Sequence, residues 1–84
     1  MTKKEFRSSV SSTVKRVMHE YGMRYQDICI HREFPMFSIM DRRQFSAQGE
    51  DAQELLDGAD RCAKVTGLST KTCLLRYLES AGAL

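Results

Sequence analysis

The chain has 84 residues, a length that suits one small domain and is too short for two independent hydrophobic cores. Hydrophobic residues make up 42% of it, yet no run approaches the ~20 apolar residues needed to cross a bilayer, and the amino terminus lacks the apolar core of an export signal. The net charge of +2 is uneven, with +4 on residues 1–48, −5 on 49–60 and +3 on 61–84. We therefore expect a cytoplasmic protein without a membrane partner.

The first predicted helix begins after Thr2 and ends at Gly22. Thr2 and Glu5 have the spacing of a capping box, in which each side chain satisfies a backbone donor at the helix start. The apolar positions recur at steps of three and four and form one stripe, namely Phe6, Val10, Val14, Val17, Met18 and Tyr21. The opposite face carries cations among serines: Arg7, Lys15, Arg16, Ser8, Ser9, Ser11 and Ser12. We expect this face to be solvated.

Residues 23–45 allow two interpretations. The spacing of the apolar residues favours a helix from Tyr25 to His31, a turn, and a second helix that starts at Pro35, a residue suited to the first helical position. In that arrangement the inward positions are Ile28, Cys29, Phe37 and Met40, and the arginines Arg42 and Arg43 end the second helix. The alternative is a short β-hairpin over residues 27–40, since periodicity alone does not separate the two.

The next segment, Ser46 to Gly49, has the composition of a short linker, and a further helix is predicted from Glu50 onward. Its early turns hold five carboxylates, Glu50, Asp51, Glu54, Asp57 and Asp60, where negative charge complements the helix macrodipole. Gly58 is unusual because glycine in mid-helix costs about 1 kcal/mol relative to alanine. It suggests a close helix approach, including one across a dimer interface.

A glycine-centred corner follows at Gly67, with Ser69 at the N-cap of a last helix that begins at Thr70 and ends near Gly82. The outer face of this helix combines cations, hydroxyls and a methyl-rich side chain, the types that contact phosphates, base edges and thymine methyls. The predicted DNA-binding residues are Ser69, Thr70, Lys71, Thr72, Leu75 and Arg76, together with Arg42 and Arg43.

The residues Ala63, Gly67, Leu68, Ser69 and Thr72 reproduce the pattern A-x-x-x-G-L-S-x-x-T. Over residues 52–81 the chain thereby resembles small bacterial, phage and plasmid helix-turn-helix regulators. The resemblance implies that the helix after the corner enters the major groove of DNA. Two residues depart from the pattern: Cys73 replaces a branched aliphatic residue, and Arg76 lies where such families bury an apolar side chain.

The sequence as a whole predicts an all-α bundle of four to five helices with a C-terminal helix-turn-helix. The predicted function is a sequence-specific transcriptional regulator that binds double-stranded DNA as a homodimer, because one such helix reads few base pairs. A helix-glycine-helix corner is also a common packing device in bundles that never touch DNA. The alternative is therefore a small protein-interaction module or phage-type inhibitor, with a contact patch near Phe34, Met36, Phe37 and Met40.

Catalytic, metal and cofactor sites are not predicted. His19 and His31 have no neighbours in the spacing of a nucleophile and its base, and the five glycines are isolated, so no phosphate-cradling loop exists. The three cysteines lack the paired spacing of a zinc site. We expect all three to be reduced and mostly buried.

Overall fold

Over the residues that the structure describes, the chain folds as an α+β domain with three α-helices and a three-stranded antiparallel sheet. The computed structural model describes residues 2–41 and 44–84. The prediction of an all-α bundle of four to five helices is therefore wrong. The difference lies in residues 28–48, which form strands where helices and a linker were expected.

Helix α1 spans Lys3–Tyr21 and has the ends that the sequence predicts. The Thr2 hydroxyl accepts a hydrogen bond from the backbone N–H of Glu5 at 3.1 Å, which satisfies one of the free donors of the first turn. Gly22 closes the helix in the left-handed conformation at φ 61°. The buried residues of α1 are Val10, Val14 and Val17, all on the predicted apolar stripe.

A 3₁₀ turn at Tyr25–Asp27 leads into strands β1 (Ile28–His31) and β2 (Met36–Ile39), which pair as an antiparallel hairpin. The predicted helices in this region are thus absent, and the alternative hairpin is present. The physical reason is alternation: Ile28 is buried and Cys29 exposed, and Phe37 is buried beside the half-buried Ser38. Pro35 lies in the turn between the strands and not at a helix start.

Strand β3 (Phe45–Gln48) completes the sheet in the order β1-β2-β3. It occupies most of the segment that was expected to be a linker. Its side chains alternate between half-buried and exposed, so Phe45 and Ala47 face the helices while Ser46 and Gln48 face away. Because its outward residues are serine and glutamine, this strand has the composition of a loop in the sequence.

Helices α2 (Glu50–Thr66) and α3 (Thr70–Ser80) meet at the predicted corner. Gly67 ends α2 in the left-handed conformation at φ 74°. Ser69 caps α3 by accepting a hydrogen bond from the backbone N–H of Thr72 at 3.2 Å. The corner is therefore built as the sequence predicts.

One hydrophobic cluster joins all the elements, with Val14 of α1, Phe37 of β2, Leu56 of α2 and Leu74 of α3 among its members. The sheet covers this cluster with one face and leaves the other free of any packed element of the described chain. Across the described ranges, no helix combines the length and the apolar character that a bilayer crossing demands.

Candidate functional site

The predicted reading helix, α3, is buried on nearly all sides. Its buried residues are Thr72, Cys73, Leu74, Leu75 and Leu78, and Leu75 has no exposed surface. The helix packs against both α1 and α2, so residues on several of its sides are covered. The expectation that Thr72 and Leu75 lie on an outer, DNA-facing surface is therefore wrong.

The polar residues at the start of α3 hold the fold together. The Thr70 hydroxyl donates to Oδ1 of Asp60 at 2.9 Å, and Lys71 Nζ donates to the Tyr25 carbonyl at 3.1 Å. The Thr72 hydroxyl donates to the phenol oxygen of Tyr25 at 3.0 Å. These bonds tie the corner to α2 and to the 3₁₀ turn, and they leave Ser69 as the exposed one among the predicted residues that the structure describes.

Arg76 is half-buried near the end of α3. Its guanidinium lies 5.8 Å from the ring centre of Phe6 and 5.6 Å from that of Tyr77, and it donates a hydrogen bond to the Ser80 hydroxyl at 2.9 Å. The arginine thus stacks on Phe6 of α1 and Tyr77 of α3, at the position where helix-turn-helix families bury an apolar residue, and it is not fully exposed as expected of a DNA-binding residue. The other two predicted arginines, Arg42 and Arg43, lie outside the described residues.

The most exposed large apolar side chain that the structure describes is Phe34, at 77%. It lies in the four-residue turn between β1 and β2, which we call the tip (residues 32–35). At one side of the tip, Arg32 forms two hydrogen bonds with the carboxylate of Asp60 on α2, at 2.7 and 2.9 Å. At the other side, the Gly49 N–H donates to the Pro35 carbonyl at 2.8 Å. The tip is therefore braced on both flanks.

A shallow cleft of about 320 Å³ opens beside the exposed ring. Its lining consists of Phe34, Pro35, Met36, Gln48 and Gly49. The cleft joins the tip to the outer face of the sheet. The exposed aromatic ring and this cleft together form one continuous apolar feature.

The outer face of the sheet carries no ionised carboxylate, lysine or arginine on its strands. Two rows of side chains cross it, and we call this surface the open face: Cys29, Ser38 and Ser46 in one row, His31, Met36 and Gln48 in the other. Met40 continues β2 beyond its last paired residue and is 59% exposed. An uncharged surface of this kind is unusual in a chain in which 29% of the residues are charged.

The contact patch expected around residues 34–40 is thus partly present. Phe34, Met36 and Met40 lie at or near the surface, whereas Phe37 is fully buried. Cys29 and Met40, expected to face inward, point outward because the chain alternates with period two. The sequence does not predict the two contacts that brace the tip, the Arg32–Asp60 pair and the Gly49–Pro35 hydrogen bond. Only the alternation of residues in β3 could have indicated the contact at Gly49.

Two residues expected to be available for a dimer interface are used within the chain. Leu75 is buried, and Gly58 is buried on α2 beside the Tyr77 ring of α3, which lies 3.4 Å from where a Cβ would be. The homodimer itself stays a prediction. In residues 2–41 and 44–84, no three His, Cys, Asp or Glu side chains come together as a metal site would require.

Comparisons with protein-family models, with curated proteins and with solved structures found no match to this chain.

Proposed function

We propose that this protein is a protein-interaction module that inserts Phe34 into an apolar pocket of a larger partner. The observation that carries the proposal is the exposure of this ring, 77%, on a turn that is braced at both flanks. Aromatic side chains dominate the binding free energy of many interfaces when they fill a pocket. The exposed ring of Phe34 is available to fill a pocket of this kind.

The braces reduce the entropy that binding would otherwise remove. A turn held by the Arg32–Asp60 pair and by the Gly49–Pro35 hydrogen bond already has a defined conformation before any partner arrives. Ordering a loop and its side chains on association weakens binding, so a preformed tip retains more of the contact energy. The geometry therefore favours recognition by insertion over recognition by a flexible segment.

The open face specifies the chemistry of the surrounding contact. Its residues offer hydroxyl, thioether, imidazole and amide groups without a cation to neutralise phosphates. Nucleic acid would gain little here, because its affinity depends on lysine and arginine. A partner surface placed against this face must also be largely uncharged, since burial of an unpaired charge is unfavourable. We infer a protein with an apolar pocket and an uncharged rim.

The open face is too small to hold a second copy by itself. Three strands of four residues cover roughly 200 Å² at ordinary strand spacing and rise. A stable interface buries about 800 Å² on each partner. The occupant must therefore enclose the tip as well, as a protein with a deep pocket does and a copy of this flat face does not.

Photo-crosslinking in the source cells identifies the partner. A benzophenone amino acid replaces Phe34 in one variant and Val65, 46% exposed on α2, in a matched control. We expect a discrete crosslinked protein from position 34 that is absent from position 65. Identical crosslinking patterns at the two positions would show that the tip has no partner of its own.

The affinity of the purified partner for the parent chain and its variants then tests whether the Phe34 ring anchors the complex. We expect Phe34→Ala to weaken binding by about 30-fold, or roughly 2 kcal/mol, as removal of an anchoring aromatic residue does. Val65→Ala should change the affinity by less than twofold. Unfolding curves of both variants should match the parent, since neither side chain belongs to the core cluster. An unchanged affinity for Phe34→Ala would refute the insertion.

A further inference from the structure

A second surface, on α1, has the opposite character. Lys4, Arg7 and Lys15 are exposed and lie within one stripe of the helix, because they follow one another at steps of three and eight residues. The exposed Ser8 and the half-buried Ser11 lie between them. We call these five residues the basic stripe. It extends about 16 Å along the helix axis at 1.5 Å per residue.

The cations of the basic stripe have no acidic partner among residues 2–41 and 44–84. Two other arginines of the described chain are paired with carboxylates of neighbouring helices. Arg16 bonds Glu79 at 2.7 Å and lies 3.4 Å from Glu20, and Arg32 is paired with Asp60. The unpaired positive charge of α1 thus lies on the stripe and on the adjacent Lys3.

We propose that the basic stripe of α1 docks on the phosphate backbone of duplex DNA. Its charge complements a polyanion, and lysine, arginine and serine side chains are the usual donors to phosphate oxygens. About five phosphates of one strand span the length of the stripe at 3.4 Å each along the duplex axis. We expect the contact to be independent of base sequence, since contacts to phosphate oxygens carry no sequence information.

This surface differs from the helix-turn-helix in location and in mode. It uses the exposed face of α1 and leaves α3 in the core. The carboxylates early in α2, among them Glu50, Asp51 and Glu54, are exposed and repel phosphate, so they favour an approach of DNA from the α1 side. The basic stripe also lies outside the open face and the tip.

Fluorescence anisotropy with a labelled 20-base-pair duplex of random sequence tests the proposal. Three phosphate contacts predict a slope of about −2.7 for the logarithm of the association constant against that of the salt concentration, or a loss of about 40-fold between 50 and 200 mM salt. Failure to bind at 50 mM salt would overturn it. So would tighter binding to duplex RNA, or to vesicles rich in phosphatidylserine, than to duplex DNA.

Two double variants separate a docking surface from bulk charge. Lys4→Gln with Lys15→Gln removes two cations from the stripe, and Arg61→Gln with Lys64→Gln removes two exposed cations from α2. We expect the first to reduce the magnitude of the salt slope by about 1.8 and the second to leave it nearly unchanged. Equal losses in the two variants would mean that only net charge matters and would overturn the proposal. Phe34→Ala should leave DNA binding at the parent value.

Discussion

Asp60 links three parts of the molecule at the scale of single residues. It lies on α2, accepts two hydrogen bonds from Arg32 of the tip and accepts another from Thr70 of α3. The hydrogen bonds from Arg32 are the largest influence and lower the pKa of this carboxyl against the opposing effect of burial, and the bond from Thr70 lowers it further. The ionised form of Asp60 therefore stabilises the fold and the braced tip together.

The stabilisation by Asp60 should disappear in acid. Because its pKa is lower in the folded chain, its contribution is present above the unfolded value of about 3.9 and is lost as the pH falls through the folded value. We expect Asp60→Asn to reduce the free energy of unfolding by about 0.5–1 kcal/mol at pH 7, since the pair is partly exposed, and by much less at pH 2.

Urea unfolding followed by circular dichroism at the two pH values measures this difference. Glu33→Gln is the matched control, because Glu33 is an exposed carboxylate of the tip, next to Arg32. Its effect should be small at both pH values. A deficit of Asp60→Asn that stays constant from pH 7 to pH 2 would contradict the assignment.

Gly58 offers a prediction of opposite sign. An added Cβ would lie 3.4 Å from Cε1 and Cζ of Tyr77, an ordinary van der Waals contact, while alanine is the better helix former by up to about 1 kcal/mol. Gly58→Ala should therefore raise the free energy of unfolding, and Gly58→Leu should lower it by displacing the ring. Thermal unfolding measures both, and a destabilised alanine variant would show that the contact with Tyr77 is too tight to yield.

At the scale of elements, the sequence predicts α1, α2 and α3, offers the β1–β2 hairpin only as an alternative, and misses β3. Helix ends carry strong local signals, such as the Thr2 cap of α1 and the glycine at position 67, and the structure confirms them. A strand of four residues has only two inward positions, too few to establish a period. The outer residues of β3, Ser46 and Gln48, also resemble those of a loop. These strands become recognisable only when paired with one another.

The candidate site likewise contains some residues that a local sequence pattern identifies and others that it does not. Phe34, Met36 and Met40 were identifiable as large apolar residues close to a proline, and they surround the tip or the open face. The brace between Arg32 and Asp60 was not identifiable, because the two residues are 28 positions apart. The burial of α3 likewise depends on contacts with α1, whose position no local pattern specifies.

Helix α3 should behave as a core element when its residues are truncated. Leu75→Ala should lower the free energy of unfolding by about 2–5 kcal/mol, as removal of a fully buried leucine does. Lys71→Ala, which removes one exposed hydrogen bond to the Tyr25 carbonyl, should cost about 1 kcal/mol or less. Guanidinium unfolding measures both. A small effect of Leu75→Ala on the free energy of unfolding would contradict the burial of this side chain.

At the scale of the whole molecule, helices and sheet share one core. Ile28 and Ile39 of the sheet belong to the same cluster as Val10 of α1 and Leu78 of α3. Separate unfolding of the sheet would expose the helix residues that it covers. The domain should therefore unfold as a single cooperative unit.

Coincident transitions test this cooperativity. Far-ultraviolet circular dichroism reports the helices, and near-ultraviolet absorbance reports the three tyrosines. The two midpoints should agree in the parent chain and shift together in Ile39→Ala, whose side chain is fully buried in the sheet. If the midpoint of the tyrosine signal shifted alone in this variant, one part of the domain would unfold separately from the rest.

The three thiols differ sharply in their surroundings. Cys29 is exposed on the open face, contrary to the expectation that all three are buried, whereas Cys62 and Cys73 lie in the core. Burial raises the pKa of the Cys73 thiol to about 12, so it is protonated at pH 8 and a poor nucleophile. A maleimide at pH 8 should modify one cysteine rapidly, and the other two only when the chain unfolds. Rapid modification of all three would contradict this.

Cys29 therefore gives the molecule a built-in attachment point for a reporter group. A solvent-sensitive fluorophore on its sulfur would stand on the open face itself, in the row of Ser38 and Ser46, and away from the basic stripe of α1. Emission should shift when a protein covers the sheet and should stay constant when DNA occupies α1. One labelling reaction on the unaltered chain would thus distinguish which ligand has arrived.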